Sequence, residues 1–178
     1  MIELYSVAGL ARGRLAVALR PRGADWLEDE LRDLRRRGWT TLVTTLEAVE
    51  LREFELEALA TTSRQLGVEW VHYPIPDRTV PALNPTLLLA RSLHERVRTG
   101  GSVAVHCRQG IGRSSTVVAA TLVVGGSSAD AAWAIVEAAR GRTVPDTPDQ
   151  RTWLTELERA VRTPHGSSDD HHDRSPDP

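Results

Sequence analysis

Short apolar runs along the chain predict the strands of one sheet. Residues 2–7 and 15–19 flank a glycine-containing turn, which is typical of a hairpin at the edge of a sheet. Residues 40–46 are short and rich in β-branched side chains, and residues 68–75 alternate between apolar and polar positions, so both are predicted strands. Residues 103–105, Val-Ala-Val, predict a further strand that is buried on both faces.

Apolar residues at helical spacing separate these strands. Leu27, Leu31 and Leu34 lie on one face of a predicted helix that ends at Gly38. The same periodicity predicts the other helices. The helix of residues 47–66 is expected to break near Phe54, and the helix of residues 84–98 is expected to be capped by Asn84. These helices cover residues 47–66, 84–98, 116–124, 127–140 and 149–162.

Strands and helices alternate through the middle of the chain, which predicts an α/β fold with a mostly parallel central sheet flanked by helices. Residues 1–162 are predicted to form a single catalytic domain. Residues 163–178 contain Ser, Asp, His and Pro without an apolar anchor, so a disordered acidic tail is predicted there. Ligands of such folds bind at the carboxyl ends of the parallel strands, where the most informative segment of this chain lies.

Composition excludes several functional classes. The net charge of −2 favours neither a nucleic-acid partner nor a membrane surface, and no apolar run reaches the roughly 20 residues that span a bilayer. The chain has one cysteine, so no internal disulfide is possible. The first residues lack the basic and apolar regions of a secretory signal, and we expect a cytoplasmic location, where thiols stay reduced. Nothing in the composition predicts the oligomeric state.

The segment from His106 to Ser115, His-Cys-Arg-Gln-Gly-Ile-Gly-Arg-Ser-Ser, connects the buried strand to the buried helix. Its two glycines allow a tight loop, and the N–H groups at the start of a helix point towards whatever lies before them. This arrangement favours an anion. The sequence therefore predicts a phosphate-binding loop between a strand and a helix.

Four side chains of this loop carry the predicted chemistry. A helix N-terminus and a nearby arginine favour a thiolate, so Cys107 is the candidate nucleophile. Arg113 has a planar guanidinium that can bind two phosphate oxygens at once. Ser114 can donate a hydrogen bond to the sulfur as it departs, and His106 is expected to orient the loop. The candidate phosphate-binding residues are Arg108, Gln109, Gly110, Ile111, Gly112 and Arg113.

A phosphoester also needs an acid that protonates the leaving oxygen. Asp77 follows the predicted strand of residues 68–75 in the segment Pro-Ile-Pro-Asp-Arg-Thr-Val-Pro. Parallel strands end at the same edge of a sheet, so Asp77 is expected to lie close to Cys107 although it precedes it by thirty residues. The alternative is that Asp77 merely begins a turn.

The loop and the aspartate together resemble the cysteine-dependent protein tyrosine phosphatase superfamily, whose signature is His-Cys, five residues, Arg, then Ser or Thr. The compact size and the position of Asp77 are similar to the dual-specificity branch. The resemblance implies that Cys107 attacks phosphorus while Asp77 protonates the leaving oxygen. Water then hydrolyses the phosphocysteine, with Asp77 as the base. No metal and no cofactor is implied.

The segment Asp146-Thr147-Pro148-Asp149-Gln150 departs from this pattern. In tyrosine-specific members the first position of the corresponding loop is a glutamine that positions the hydrolytic water. Here that position is Asp146, and only the second position, Gln150, is kept as a supporting residue. A carboxylate beside a bound phosphate would repel it. Two explanations stay open: Asp146 points away, or the segment is only the cap of the last helix.

Three functions remain to be weighed. The first is a phosphatase that acts on phosphorylated proteins, with phosphotyrosine the favoured substrate and phosphoserine or phosphothreonine as further ones. The second uses the same loop on a phosphoinositide, an inositol phosphate or an RNA 5′-triphosphate, although the RNA enzymes lack the acid. The third is an inactive phosphate-binding module, which would require loss of Cys107 or Arg113, and both are present.

Overall fold

The computed structural model describes residues 1–163, so the predicted tail lies almost entirely outside the described residues. Five strands form one sheet in the order β1-β2-β5-β3-β4. The strands are β1 (Leu4–Ser6), β2 (Arg14–Ala18), β3 (Thr41–Thr44), β4 (Glu69–His72) and β5 (Ser102–His106). Only the pair β1–β2 is antiparallel, which confirms the predicted edge hairpin and the mostly parallel sheet.

Seven α-helices are found within the described residues. They are α1 (Leu27–Arg36), α2 (Ala48–Glu53), α3 (Leu59–Gln65), α4 (Leu83–Arg98), α5 (Arg113–Val124), α6 (Ala129–Arg140) and α7 (Pro148–Arg162). The predicted break near Phe54 separates α2 from α3. The predicted cap of α4 is wrong, because the helix begins at Leu83 and its N-cap is Ala82 rather than Asn84. Among these helices none has the length and apolar character needed to span a bilayer.

Both faces of the sheet are covered by apolar cores. One core joins the sheet to α4, α5, α6 and α7, and its largest fully buried side chain is Trp133. The other joins the opposite face to α1 and α3 through leucines such as Leu31, Leu34 and Leu59. Because the middle strands are buried on both sides, their apolar residues are consecutive, as in Leu42-Val43 and Val103-Ala104-Val105, instead of alternating.

The central strand β5 determines the location of the site. Its last residue, His106, pairs in register with Ala18 of β2 on one side and with Thr44 of β3 on the other. The chain then turns through residues 107–112 into α5, a helix that is buried along almost its entire length. The predicted loop therefore lies at the carboxyl end of the sheet, between its central strand and its central helix.

Candidate active site

The loop after β5 encloses the thiol of Cys107. The residue is 3% exposed, and its Sγ lies 3.2 Å from Oγ of Ser114 and accepts a hydrogen bond from the backbone N–H of Gly110 at 3.2 Å. Gly110 has a φ of +65°, and an added Cβ would lie 3.1 Å from the carbonyl oxygen of Ala18. Glycine is therefore required at this position for the turn that brings its N–H to the sulfur.

Arg113 is the first residue of α5, and its side chain is almost completely buried beside the loop. Its Nη1 and Nη2 donate to the two carboxylate oxygens of Glu50 at 2.6 and 2.8 Å, and Nη1 also donates to the carbonyl of Ile75 at 3.1 Å. Burial opposes the charge of both groups, but their hydrogen bonds prevail: the pKa of Glu50 is lowered and that of Arg113 is raised. The guanidinium is therefore held, charged, in one orientation.

Glu50 is a site residue that the sequence did not indicate. It lies in the first turn of α2, where its side chain also accepts a hydrogen bond from the backbone N–H of Glu47 at 2.9 Å. Glutamate at the third position of a helix is the ordinary sign of a capping box. The capping role by itself explains a glutamate at this position in the sequence. The pairing of Glu50 with Arg113 is therefore visible only in the folded structure, where α2 packs beside the loop.

The predicted acid lies in the same cavity as the predicted nucleophile. Asp77 is half exposed, and its Oδ1 lies 3.1 Å from Nη2 of Arg113. A cavity of about 310 Å³ is lined by Asp77, by Cys107 and by further residues of the loops that follow β4 and β5. Its lining residues are Asp77, Arg78, Cys107, Arg108, Gln109, Ile111, Arg113 and Asp146.

The other residues predicted to bind phosphate take different positions. Arg108 is exposed at the cavity edge, where its guanidinium pairs with Glu53 at 2.6 Å and lies 4.8 Å from the ring centre of Phe54. Ile111 is half-buried against the apolar core, and Gly112 is buried directly before α5. The loop thus lines the cavity with Arg108, Gln109, Ile111 and Arg113, and the exposed Arg108 side chain lies at the edge.

A second arginine supports the loop from behind and was also missed from the sequence. Arg140, the last residue of α6, donates through Nε to the carbonyl of Gly110 at 2.6 Å and through Nη2 to the carbonyl of Gln109 at 3.3 Å. Its guanidinium lies 3.6 Å from the ring centre of Tyr5. By binding these carbonyls on the outside of the loop, Arg140 keeps the N–H groups turned inwards.

His106 orients the loop from the end of β5. The ring is fully buried, and Nδ1 lies 3.3 Å from the carbonyl oxygen of Cys107, which can only accept. Nδ1 therefore carries the proton, and Nε2 accepts from Oγ1 of Thr44 at 2.7 Å. The same Oγ1 accepts from the indole N–H of Trp70 at 2.8 Å. Burial, together with a smaller effect of the Arg113 charge, lowers the pKa of His106 to about 4.

We expect this histidine to make stability depend on pH. The unfolded state binds a proton at His106 below its ordinary pKa of about 6.5, whereas the native state stays neutral down to about 4. Stability is therefore present above pH 6.5 and is lost as the pH falls towards 4, by about 2 kcal/mol between pH 7.5 and 5. Urea unfolding at both pH values, for the native chain and for His106→Gln, measures the effect. Equal pH dependence in the two proteins would contradict this assignment.

The segment before α7 was predicted either to cap that helix or to turn Asp146 away from the site. Thr147 is the cap, since its side chain accepts the backbone N–H of Gln150 at 3.2 Å. Asp146 does not point away: the residue lines the cavity, and its Oδ2 would lie 2.3 Å from a Cβ built on Gly112 of the loop. Gln150 is fully buried and donates through Nε2 to the carbonyl of Thr79 at 3.0 Å, which ties α7 to the loop that carries Asp77.

Comparison with known proteins places this geometry among phosphatases. Residues 16–127 match a family model described as "Polymorphic toxin system, DSP-PTPase phosphatase". No curated protein sequence matches the chain. The active form of Tk-PTP is 36% identical, with a TM-score of 0.69 over 83% of this chain and 92% of that protein.

More distant structures share the fold. Kinase associated phosphatase, crystallised with its catalytic cysteine replaced by serine, superposes with a TM-score of 0.81 at 19% identity, over 90% of this chain and 96% of that protein. PTPMT1 in complex with PI(5)P superposes with a TM-score of 0.68 at 24% identity, over 82% of this chain and 91% of that protein.

Proposed function

Since the chain belongs to the family of polymorphic toxin system DSP-PTPase phosphatases, within the cysteine-dependent protein tyrosine phosphatase superfamily, we propose that it dephosphorylates proteins, with phosphotyrosine the preferred substrate. The chain is a cysteine-dependent phosphatase of the dual-specificity type. The observation that carries the proposed reaction is one cavity lined by Cys107, Arg113 and Asp77. A reducing compartment such as the cytoplasm suits its single thiol.

In the first step, Sγ of Cys107 attacks phosphorus and the bond from phosphorus to the leaving oxygen breaks. The N–H of Gly110 and the hydroxyl of Ser114 lie at hydrogen-bond distance from Sγ and favour its thiolate form. The arriving phosphate binds Arg113, whose orientation is already determined by Glu50. Because no reorganisation is then required, the guanidinium stabilises the charge of the transferring phosphoryl group.

Asp77 supplies the proton that the leaving oxygen needs. Its carboxyl lies beside Nη2 of Arg113. A phosphate bound to this guanidinium therefore brings its ester oxygen close to the Asp77 side chain. In the second step, water attacks phosphorus and the phosphorus–sulfur bond breaks, while the hydroxyl of Ser114 stabilises the departing thiolate.

Asp77→Asn should reduce kcat by about 10²–10⁴-fold, because the amide cannot donate a proton to the leaving group. The loss should be larger for phenyl phosphate than for p-nitrophenyl phosphate, whose leaving group is the stronger acid and needs less protonation. Steady-state kinetics on the two esters provide the measurement and its internal control. Equal losses on both esters, or no loss, would remove Asp77 as the acid.

A phosphoinositide or inositol phosphate is the second candidate substrate class. Arg78 lines the cavity and forms no ion pair with another described residue, so a further cation is available for a second phosphate group. PTPMT1, which shares the fold, was crystallised with PI(5)P. We favour the protein substrate because Arg108, the arginine at the cavity edge, is already paired with Glu53 and is not free for a second phosphate group.

A substrate panel tests this choice. The chain is assayed for phosphate release from phosphotyrosine, phosphoserine and phosphothreonine peptides, from phosphoinositide vesicles and from inositol phosphates, with Cys107→Ser as the blank. We expect the highest kcat/KM on the phosphotyrosine peptide. A higher value on an inositol-based substrate would favour the second candidate. Release equal to the blank on every substrate would identify an inactive phosphate-binding module.

A further inference from the structure

A second cavity, the distal cavity, lies at the opposite end of α5 from the catalytic loop. Its volume is about 610 Å³, against about 310 Å³ for the catalytic cavity, and the two have no lining residue in common. Arg113 begins α5, whereas Thr121 and Leu122 of the same helix line the distal cavity. Roughly 12–14 Å of helix therefore separates the two sites.

The walls of the distal cavity come from the turn between β1 and β2 and from α4, α5 and α6. The turn is attached to the end of α4, because the N–H of Gly13 donates to the carbonyl of Val97 at 3.0 Å. Leu15, Val97 and Leu122 line the cavity and are buried in the apolar core, and Ile135 of α6 packs against that core. An apolar ligand body placed against these side chains would therefore lose apolar surface to water contact, which favours binding.

The unpaired polar side chains of the lining are able to donate hydrogen bonds. Arg12 is exposed in the turn and forms no ion pair with any residue in the range 1–163. The ring of His94 and the hydroxyl of Ser127 likewise have no hydrogen-bond partner within the described residues. Arg98 also lines the cavity, but it is already paired with Glu95 at 2.7 Å. None of the described lining residues is acidic.

The helix ends beside the cavity do not supply free acceptors. At the end of α5 the carbonyls of residues 121–123 accept the N–H groups of residues 125–127, and at the end of α4 the carbonyls of residues 95–97 accept those of residues 99–101. His94 and Arg98 complement the negative end of the α4 dipole, which accounts for them locally. Arg12 lies on no helix, so this explanation does not apply to it.

We infer that the distal cavity binds an apolar molecule that carries one carboxylate. The apolar body contacts Leu122 and Ile135, and the carboxylate accepts hydrogen bonds from Arg12, with the ring of His94 as a further donor. A planar guanidinium matches both oxygens of a carboxylate. The volume is within the range that small-molecule sites occupy. Because this site is separate from the catalytic one, the inference does not depend on the proposed function.

Calorimetric titration with decanoate tests the inference. The native chain is titrated with and without saturating inorganic phosphate, which occupies the catalytic loop. We expect about one equivalent of decanoate to bind, with the same Kd in both titrations. In the series from decanoate to hexanoate, each CH₂ that is removed should weaken binding about fourfold, because less apolar surface is buried.

Two variants locate the bound molecule. Arg12→Gln should weaken decanoate binding about tenfold, since the charged hydrogen bonds are lost. Ala11→Trp, which places an indole at an exposed position of the lining, should weaken it further by filling the cavity. The matched controls are Arg91→Gln and Ala131→Trp, which alter exposed residues of α4 and α6 outside the lining and should bind as the native chain does. All four should hydrolyse p-nitrophenyl phosphate at the native rate, which shows that they are folded.

Three results would overturn the inference. The first is no binding of decanoate up to its solubility limit. The second is displacement of decanoate by phosphate, which would place it in the catalytic cavity. The third is binding that Arg12→Gln and Ala11→Trp leave unchanged, which would place it elsewhere on the surface. A native chain that binds decanoate as expected but releases no phosphate from any ester would refute the proposed function alone.

Discussion

Cys107→Ser should lower phosphate release from any substrate by at least about 10⁴-fold, to background. A serine hydroxyl is far less acidic than a thiol, so no anionic nucleophile forms in its place. The hydroxyl can still accept the N–H of Gly110, and the neighbouring Ser114 stays in position. The substitution therefore removes the reaction while preserving the loop.

Binding of inorganic phosphate distinguishes this outcome from unfolding. Calorimetric titration of Cys107→Ser should give an affinity equal to that of the native chain or higher, since a thiolate repels the ligand and a hydroxyl does not. Phosphate release by Cys107→Ser at the native rate would rule out a covalent mechanism at this residue.

Arg113→Lys should reduce kcat/KM by about 10³-fold, although the positive charge is kept. An ammonium group cannot span both oxygens of Glu50 and two oxygens of a phosphate at the same time. The pairing that now orients the guanidinium, at 2.6 and 2.8 Å, would become a single contact. Both the binding of phosphate and the stabilisation of its transfer then weaken, so KM rises and kcat falls.

Arg98→Lys is the matched control for that variant. Arg98 also donates from two nitrogens to one carboxylate, that of Glu95 at 2.7 Å, but on the exposed surface of α4. It should retain native kinetics, and thermal unfolding of both variants should show that each is folded. A loss of less than tenfold in Arg113→Lys would mean that charge alone, without the planar guanidinium, is sufficient.

The sequence predicts most of the fold because the strands and helices indicated by its apolar runs are also the ones that pack together in the structure. The apolar run before Cys107 is a buried strand, and the small-residue run after Ser115 is a buried helix. Parallel pairing then brings the segment after β4 to the end of β5, which is why Asp77 was expected near Cys107 and lies there. That expectation needed only the parallel direction of the strands.

Contacts that depend on the exact packing of helices were not predictable. Glu50 and Arg113 are 63 residues apart, and nothing local distinguishes Glu50 from a helix-capping glutamate. Arg140 ends a helix, as arginines commonly do, and only the position of α6 brings it to the carbonyls of Gly110 and Gln109. The direction of Asp146 depends on how α7 packs against the loop.

Isolation of the covalent intermediate tests the account most directly. The native chain is mixed with excess p-nitrophenyl phosphate, quenched in acid within the first turnover and analysed by intact-mass and peptide-mass spectrometry. We predict one phosphoryl group per chain, located on Cys107, that is absent from Cys107→Ser treated in the same way. Steady phosphate release by the native chain with a phosphoryl group on a residue other than Cys107, or with no phosphorylated cysteine at any quench time, would contradict the account.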